Sequence, residues 1–161
     1  MIKSKLSYIA TIFLLTSMLI SCMGKSPFFE ENKTLANNTW ELTDTARFSF
    51  EIEDTNQLYD FYFNLRNLST YSYSNIFIDY KLKFPNGKSL TDTAEFILAK
   101  PNGRWLGKTI SGSIIDNSML FSRKKRFPLK GTYEFAVIHG MRQKNLDHIA
   151  NIGFKILETS E

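Results

Sequence analysis

Regular alternation of apolar and polar side chains is the sequence feature that most limits the possible folds of this chain. It is clearest in residues 75–84, where Asp79, Lys81 and Lys83 are separated by apolar residues. The apolar set is Ile76, Ile78, Tyr80, Leu82 and Phe84. A β-strand points successive side chains to opposite faces, whereas a helix would spread these residues around its circumference. The segment is therefore predicted to be a strand with one buried face.

The same period of two recurs between turn signals. Pro-Asn-Gly at 85–87 and 101–103, Asp-Thr-Asn at 54–56 and Lys-Gly at 130–131 are typical turn sequences. Further strands are predicted at 46–53, 58–66, 91–98, 113–121, 132–139 and 151–157. A helical period is missing from the chain, although residues 141–151 have room for one helical turn. About seven or eight strands with such turns predict an all-β protein, an antiparallel β-sandwich or jelly-roll-like fold.

The composition supplies a core for one domain of this kind. Hydrophobic residues make up 43% of the 161 residues, and aromatic residues 14%. A domain of this length buries roughly two-thirds of its unfolded surface, so it needs no disulfide in order to fold. We see no composition shift that would indicate a second folded domain.

The first 22 residues have the pattern of a bacterial export signal. Lys3 and Lys5 precede an uncharged, largely apolar stretch over residues 6–20, which is short for a bilayer-spanning helix of about 20 residues. Leu19-Ile20-Ser21-Cys22 resembles the lipobox of bacterial lipoproteins, where the Cys thiol receives a diacylglyceryl group and becomes the new N-terminus. A signal peptide is therefore predicted at residues 1–21, with lipidation of Cys22. The alternative is an uncleaved anchor in which Cys22 has no role.

Residues 22–38 are mostly polar and irregular in pattern, apart from the pair Phe28-Phe29. We interpret them as a lipid-anchored tether and residues 39–161 as the β-sandwich domain. The formal net charge is +4, and removal of Lys3 and Lys5 with the leader would bring it to +2. This charge is too small to indicate nucleic acid as a partner.

Motifs that carry catalysis or bind cofactors are missing from the sequence. It has no Gly-x-Ser-x-Gly, no phosphate-binding Gly-x-x-x-x-Gly-Lys and no His-Glu-x-x-His. His139 and His148 do not have the spacing of a zinc site. The 16 scattered Asp and Glu residues make some carboxylate pair inevitable, so they do not indicate a hydrolase. We therefore predict no enzymatic activity, no cofactor and no metal.

Two short segments stand out as surface candidates. Arg123-Lys124-Lys125-Arg126 either binds an anionic surface or is a solvated loop that protects a strand edge. Residues 100–107 contain the turn Pro101-Asn102-Gly103 followed by Arg104 and Trp105. Arg and Trp are enriched at the energetic centres of protein interfaces, so Asn102, Arg104 and Trp105 are candidate partner contacts. The alternative role of Trp105 is to plug one end of the sandwich.

The order of several short motifs behind the lipobox resembles the gliding motility lipoprotein GldH family of Bacteroidota. The resemblance covers nearly all of the mature chain. The motifs are Asn38-Thr39-Trp40, Tyr73-Ser74-Asn75-Ile76-Phe77, Pro85-Asn86-Gly87, Asp92-Thr93-Ala94-Glu95, the segment 100–107, Phe127-Pro128 through Gly131-Thr132-Tyr133, and His139-Gly140-Met141-Arg142 running on to Gly153-Phe154.

The resemblance implies an auxiliary, non-catalytic lipoprotein that works alongside the type IX secretion machinery of gliding bacteria. Its partners would be envelope proteins, and its acyl chains, palmitate included, would hold it on the outer membrane through Cys22. No acidic residue occurs between Cys22 and Glu30, which in this lineage implies the periplasmic face. The alternative function is a lipid-anchored glycan-binding module, because exposed aromatic rings also stack on sugars.

The lineage also implies a modification. Periplasmic proteins of Bacteroidota carry O-glycans at Asp-Ser/Thr followed by a small or apolar residue. This chain has Asp44-Thr45-Ala46 and Asp92-Thr93-Ala94. Thr45 and Thr93 are therefore candidate glycosylation sites.

Overall fold

The computed structural model describes residues 26–160, which form a β-protein. Its strands are β1 Phe29–Thr34, β2 Thr39–Glu41, β3 Ala46–Ile52, β4 Leu58–Leu68, β5 Asn75–Lys83, β6 Ser89–Ile97, β7 Lys108–Ser111, β8 Ile114–Lys125, β9 Gly131–His139, β10 Asn145–Asp147 and β11 Ile149–Thr159. A short 3₁₀ helix, Ala36–Asn38, lies between β1 and β2. Within residues 26–160, no helix has the length and apolar character needed to cross a bilayer.

Two antiparallel sheets form the layers of the molecule. One has five strands in the order β1-β11-β4-β8-β7, and the other has four in the order β3-β9-β5-β6. β2 and β10 form a separate two-stranded ribbon. The predicted all-β, sandwich-like class is confirmed, with eleven strands in the described part of the chain rather than seven or eight.

The core lies between the two sheets and is built from the alternating residues. In β4, every second residue from Tyr59 to Leu65 is buried, as the period of two predicts. The centre is aromatic: the rings of Phe135 on β9 and Phe154 on β11 stack with their centroids 4.2 Å apart. Such ring contacts between the sheets, together with the apolar area they bury, stabilise the sandwich.

Part of the predicted tether belongs to the fold. Phe29–Thr34 form β1 and pair with β11, with Phe29 opposite Ile156, so the assignment of these residues to an irregular tether is wrong. The Phe29 ring packs against Phe50, with centroids 5.5 Å apart. The sequence does not predict β1 because its half-buried residues after Phe29 are the charged Glu31 and Lys33. The Lys33 ammonium lies 5.3 Å from the centre of the Phe48 ring. Charged side chains are common on edge strands.

The remaining differences concern short elements. β2, β7 and β10 have three or four residues each, too few to show a period in sequence. Residues 141–151, which have room for one helical turn, instead contain β10 and the start of β11. β8 continues to Lys125, so the basic run over residues 123–126 mostly extends a strand rather than linking two.

The strand register defines two ends of the sandwich. At one end β1 begins, β8 and β11 finish and the 85–87 turn joins β5 to β6. We call it the tether end, because the chain enters the fold there. The opposite end, which we call the distal end, carries the connections at 69–74, 98–107 and 140–144.

Candidate functional site

The segment 98–107 at the distal end is a small hairpin. The amide of Gly103 donates to the carbonyl of Lys100 at 2.9 Å, and the amide of Lys100 donates to the carbonyl of Arg104 at 2.9 Å. Gly103 has φ +80°, a conformation that side chains with a Cβ rarely adopt. The Asn102 side chain accepts a hydrogen bond from the amide of Arg104 at 3.2 Å. The turn predicted from Pro-Asn-Gly is confirmed, and it fixes the direction of the two residues that follow.

Trp105 lies half-buried where this hairpin meets the sandwich. Its backbone pairs with Ala99, and its side chain packs against the edge of the core. The ring lies 6.5 Å from that of Tyr71, which is buried. Arg104 and Asn102 are exposed on the same turn. Trp105 therefore both closes the distal end and presents part of its ring to solvent.

Aromatic contacts extend this surface to a second distal loop. The Tyr71 ring lies 5.5 Å from that of Tyr73, and burial together with neighbouring Tyr73 raises the pKa of Tyr71 well above its usual range. Tyr73 in turn lines a cavity of about 450 Å³ with Met141 and Arg142. The Met141 sulfur accepts a hydrogen bond from the amide of Phe77 at 3.3 Å. We call residues 73, 102, 104, 105, 141 and 142 the distal surface.

Sequence reasoning found half of the distal surface and missed the other half. Asn102, Arg104 and Trp105 lie in one turn, so their proximity followed from the sequence. Tyr73 and Met141 come from loops 68 positions apart in the chain, and only the antiparallel packing of their strands brings them together. In the sequence, Tyr73-Ser74 and Met141-Arg142 stand out only as parts of the motifs that carry the family resemblance.

The two histidines lie in different surroundings. Among the described residues, no group of His, Cys, Asp and Glu is arranged to hold a metal ion. His139 is fully buried, with its ring edge-on to Trp40 at 5.5 Å. Burial lowers the pKa of His139, and the backbone at Lys144 and Trp40 and the Asp79 carboxylate oppose this only in part. At neutral pH, His139 is therefore an uncharged imidazole in the core.

The candidate glycosylation sites differ in accessibility. Thr93 is exposed on β6, and its hydroxyl donates to the Asp79 carboxylate at 2.5 Å. Thr45 is half-buried just before β3. Both remain predictions. Cys22 and the predicted signal peptide lie outside the described residues.

These features define a β-sandwich protein with an aromatic and basic loop surface at its distal end. The sequence matches the GldH lipoprotein family over residues 27–156. The chain therefore belongs to the GldH lipoprotein family.

Two curated relatives cover almost the whole chain. The "Gliding motility lipoprotein GldH homolog" of Christiangramia forsetii is 30% identical over 152 residues, which is 90% of this chain and 92% of the relative. The "Gliding motility lipoprotein GldH" of Flavobacterium johnsoniae is 25% identical over 152 residues, or 90% and 93%.

Solved structures show only remote similarity. Dimeric latent PorU from Porphyromonas gingivalis is 8% identical with a TM-score of 0.34, covering 86% of this chain and 14% of that one. A family 16 carbohydrate-binding module is 10% identical with a TM-score of 0.24, covering 75% and 72%. Neither similarity is close enough to bear on function.

Proposed function

We propose that this protein is a non-catalytic lipoprotein of the outer membrane that docks to envelope proteins of the gliding and type IX secretion apparatus. The observation that carries this proposal is the placement of the distal surface at the end opposite the tether. A domain held at one end by a lipid presents its other end to partners. The names of the curated relatives support gliding motility as the process.

The composition of the distal surface fits a protein partner. Interfaces are enriched in Tyr, Trp, Met and Arg, and all four types occur here. Two exposed apolar residues, Ile97 and Leu106, also lie at the distal end and are 55% and 52% exposed. Arg104 and Arg142 lie at the rim and are exposed, so acidic groups on the partner would make charge-assisted hydrogen bonds with them.

Capture from the native envelope tests the docking role. The lipidated protein, tagged after residue 161, is purified from cross-linked cells, and bound proteins are identified by mass spectrometry. We expect other gliding or secretion components with the native protein and their loss with Tyr73→Ala plus Arg142→Ala. Ser49→Ala plus Lys81→Ala, two exposed residues of the four-stranded sheet, is the matched control. Recovery of polysaccharide alone would contradict docking and favour the glycan-binding alternative.

The lipid anchor has a separate test. Cys22→Ser removes the only sulfhydryl that the lipid donor can alkylate. We expect the variant to remain a precursor with its leader and to incorporate no radioactive fatty acid, whereas Ser21→Ala keeps the label. Equal label in Cys22→Ser and the native protein would contradict the lipobox assignment.

A further inference from the structure

The sandwich is open along one side near its tether end. β7 pairs with β8 only at residues 114–116. The C-terminal half of β8 therefore has β4 on one side and, among the described residues, no strand on the other. β6 is likewise the last strand of its sheet. Between these two edges lies a cavity of about 420 Å³, so the core is reachable from solvent here.

The wall of this cavity is apolar. Eleven of its fourteen lining residues are aromatic, Leu or Pro. The buried residues Phe61, Phe135 and Phe154 line it from the core, and Leu82 and Leu90 line it from the β5–β6 hairpin. Leu90 is 48% exposed. Sugars and nucleotides need several polar groups inside a site, whereas an alkyl chain needs only apolar surface.

The polar lining residues are confined to one side of the mouth. They are Ser122, Lys125 and Arg126, all at the end of β8 or just after it. Lys125 is exposed, and the Arg126 guanidinium donates to the carbonyl of Asn56 at 3.1 Å, which holds this side chain at the tether end. The exposed ammonium group of Lys125 beside an apolar interior matches a molecule with an anionic head and an apolar tail.

We propose that this cavity binds one acyl chain of an anionic amphiphile, with the chain between the sheets and the anionic head at Lys125. The volume lies within the range of about 300–1,000 Å³ that is usual for small-molecule sites. The orientation of the opening toward a membrane rests on the proposed lipidation of Cys22. The binding of the acyl chain does not depend on that lipidation. A diacylglyceryl group on Cys22 has no charge, so the cationic mouth matches a separate, anionic molecule better than the protein's own anchor.

Photolabelling tests the proposal directly. The mature lipoprotein is placed in neutral phosphatidylcholine vesicles with hexadecanoate that carries a diazirine on its chain, irradiated and mapped by mass spectrometry. We expect labelled peptides from β8 and the residues after it, around Phe121 and Phe127, which both line the cavity. An excess of unlabelled hexadecanoate should reduce this labelling.

Two pairs of variants localise the site. Leu90→Trp fills the mouth and should reduce labelling at least tenfold, whereas Leu120→Trp adds the same ring at an exposed position outside the cavity lining and should not. Lys125→Glu reverses the charge at the mouth and should weaken binding about tenfold. Arg123→Glu makes the same change of charge in the same basic run, but this residue does not line the cavity, so binding should be retained. Circular dichroism confirms that each variant is folded.

Three results would overturn the proposal. Labelling spread evenly over the surface would show that the probe merely coats the protein. Equal loss in Lys125→Glu and Arg123→Glu would show attraction to the basic run rather than a site. Labelling of the Cys22→Ser precursor but not of the lipidated protein would show that the cavity holds the protein's own anchor. If instead lipidation of Cys22 fails while labelling persists, only the proposed anchoring is wrong.

Discussion

Trp105 packs into the fold and also belongs to the proposed docking surface. Its ring closes the distal end beside Tyr71, yet it remains only half-buried and stands next to the exposed Arg104. A fully buried aromatic residue costs about 3–5 kcal/mol of stability when truncated to Ala. Truncation of a half-buried aromatic residue should cost less stability. The exposed part of the Trp105 ring can contact the proposed partner.

We therefore expect Trp105→Ala to cost about 2 kcal/mol of unfolding free energy, with Tm falling by about 5–10 °C. Binding of envelope partners should fall further than this loss of stability explains. Arg104→Ala is the control, because an exposed Arg contributes little to folding: its Tm should be unchanged while partner capture weakens. A large drop in Tm for Trp105→Ala, together with normal partner capture by Arg104→Ala, would mean that the loop is only a structural cap.

His139 makes stability depend on pH. Neither of its ring nitrogens has a hydrogen bond of good geometry among the described residues, so protonation in the core is unfavourable and burial lowers the pKa of His139. The unfolded chain, with a His pKa of about 6.5, then binds the proton more readily than the folded one. The neutral His139 therefore favours the folded state fully above about pH 6.5, and the free energy of unfolding decreases as the pH falls below that value.

Thermal melts across this range check the prediction. The Tm of the native protein should fall from about pH 7 to about pH 5, and His139→Phe should remove much of that slope. His148→Gln is the matched control, because His148 is half-buried and its Nδ1 lies 2.9 Å from the carbonyl of Thr70. An unchanged slope in His139→Phe would assign the pH dependence to other groups.

Among the strands, β1 depends on a glycine of its neighbour. A Cβ at Gly153 on β11 would collide with the side chain of Asn32 and come within 2.8 Å of the carbonyl oxygen of Glu31. Gly153 thus allows the two backbones to pair. Within residues 26–160, β11 is the only strand that pairs with β1, and no second strand of this part of the chain holds β1 in place.

Gly153→Ala should accordingly displace β1 and cost about 1–3 kcal/mol of stability, as overpacking usually does. Hydrogen exchange followed by mass spectrometry should show faster exchange at residues 29–34 than in β4. Asn32→Ala shortens the side chain on the other side of the same contact, and because Asn32 is exposed it should leave exchange unchanged. Normal protection of β1 in Gly153→Ala would refute this account.

The two ends of the molecule carry different kinds of surface. The chain enters at the tether end, which also carries the basic run and the open cavity, while the distal surface lies at the other end. If Cys22 carries the proposed lipid, we expect the basic end to face the membrane and the distal surface to face away from it. Anionic headgroups attract such residues by about 1 kcal/mol each near the surface.

The family resemblance predicts a leaflet from the residues after Cys22, which include no acid before Glu30. We expect the protein at the periplasmic face of the outer membrane. Proteinase K added to intact cells should therefore spare it, whereas the same treatment after permeabilisation should cleave the exposed loop around Arg142. Rapid loss in intact cells would place the protein on the cell surface instead.

Local physics explains what could be read directly from the sequence. Strand periodicity in β3, β4 and β5, the Pro-Asn-Gly turns and the aromatic core residues depend on backbone geometry and on the preference of apolar groups for burial, so each is visible within a few residues. The family resemblance depended on motif order and needed no coordinates.

The pairing of β1, the distal surface and the cavity depend on packing between distant parts of the chain. β1 could not be recognised because its pairing depends on Gly153, more than a hundred positions away. The distal surface unites Trp105 with Tyr73 and Met141, and the cavity joins β8 to a hairpin from the other sheet. Contacts of this kind arise only when the two sheets stack, because no local pattern records which strands become neighbours or which edge stays open.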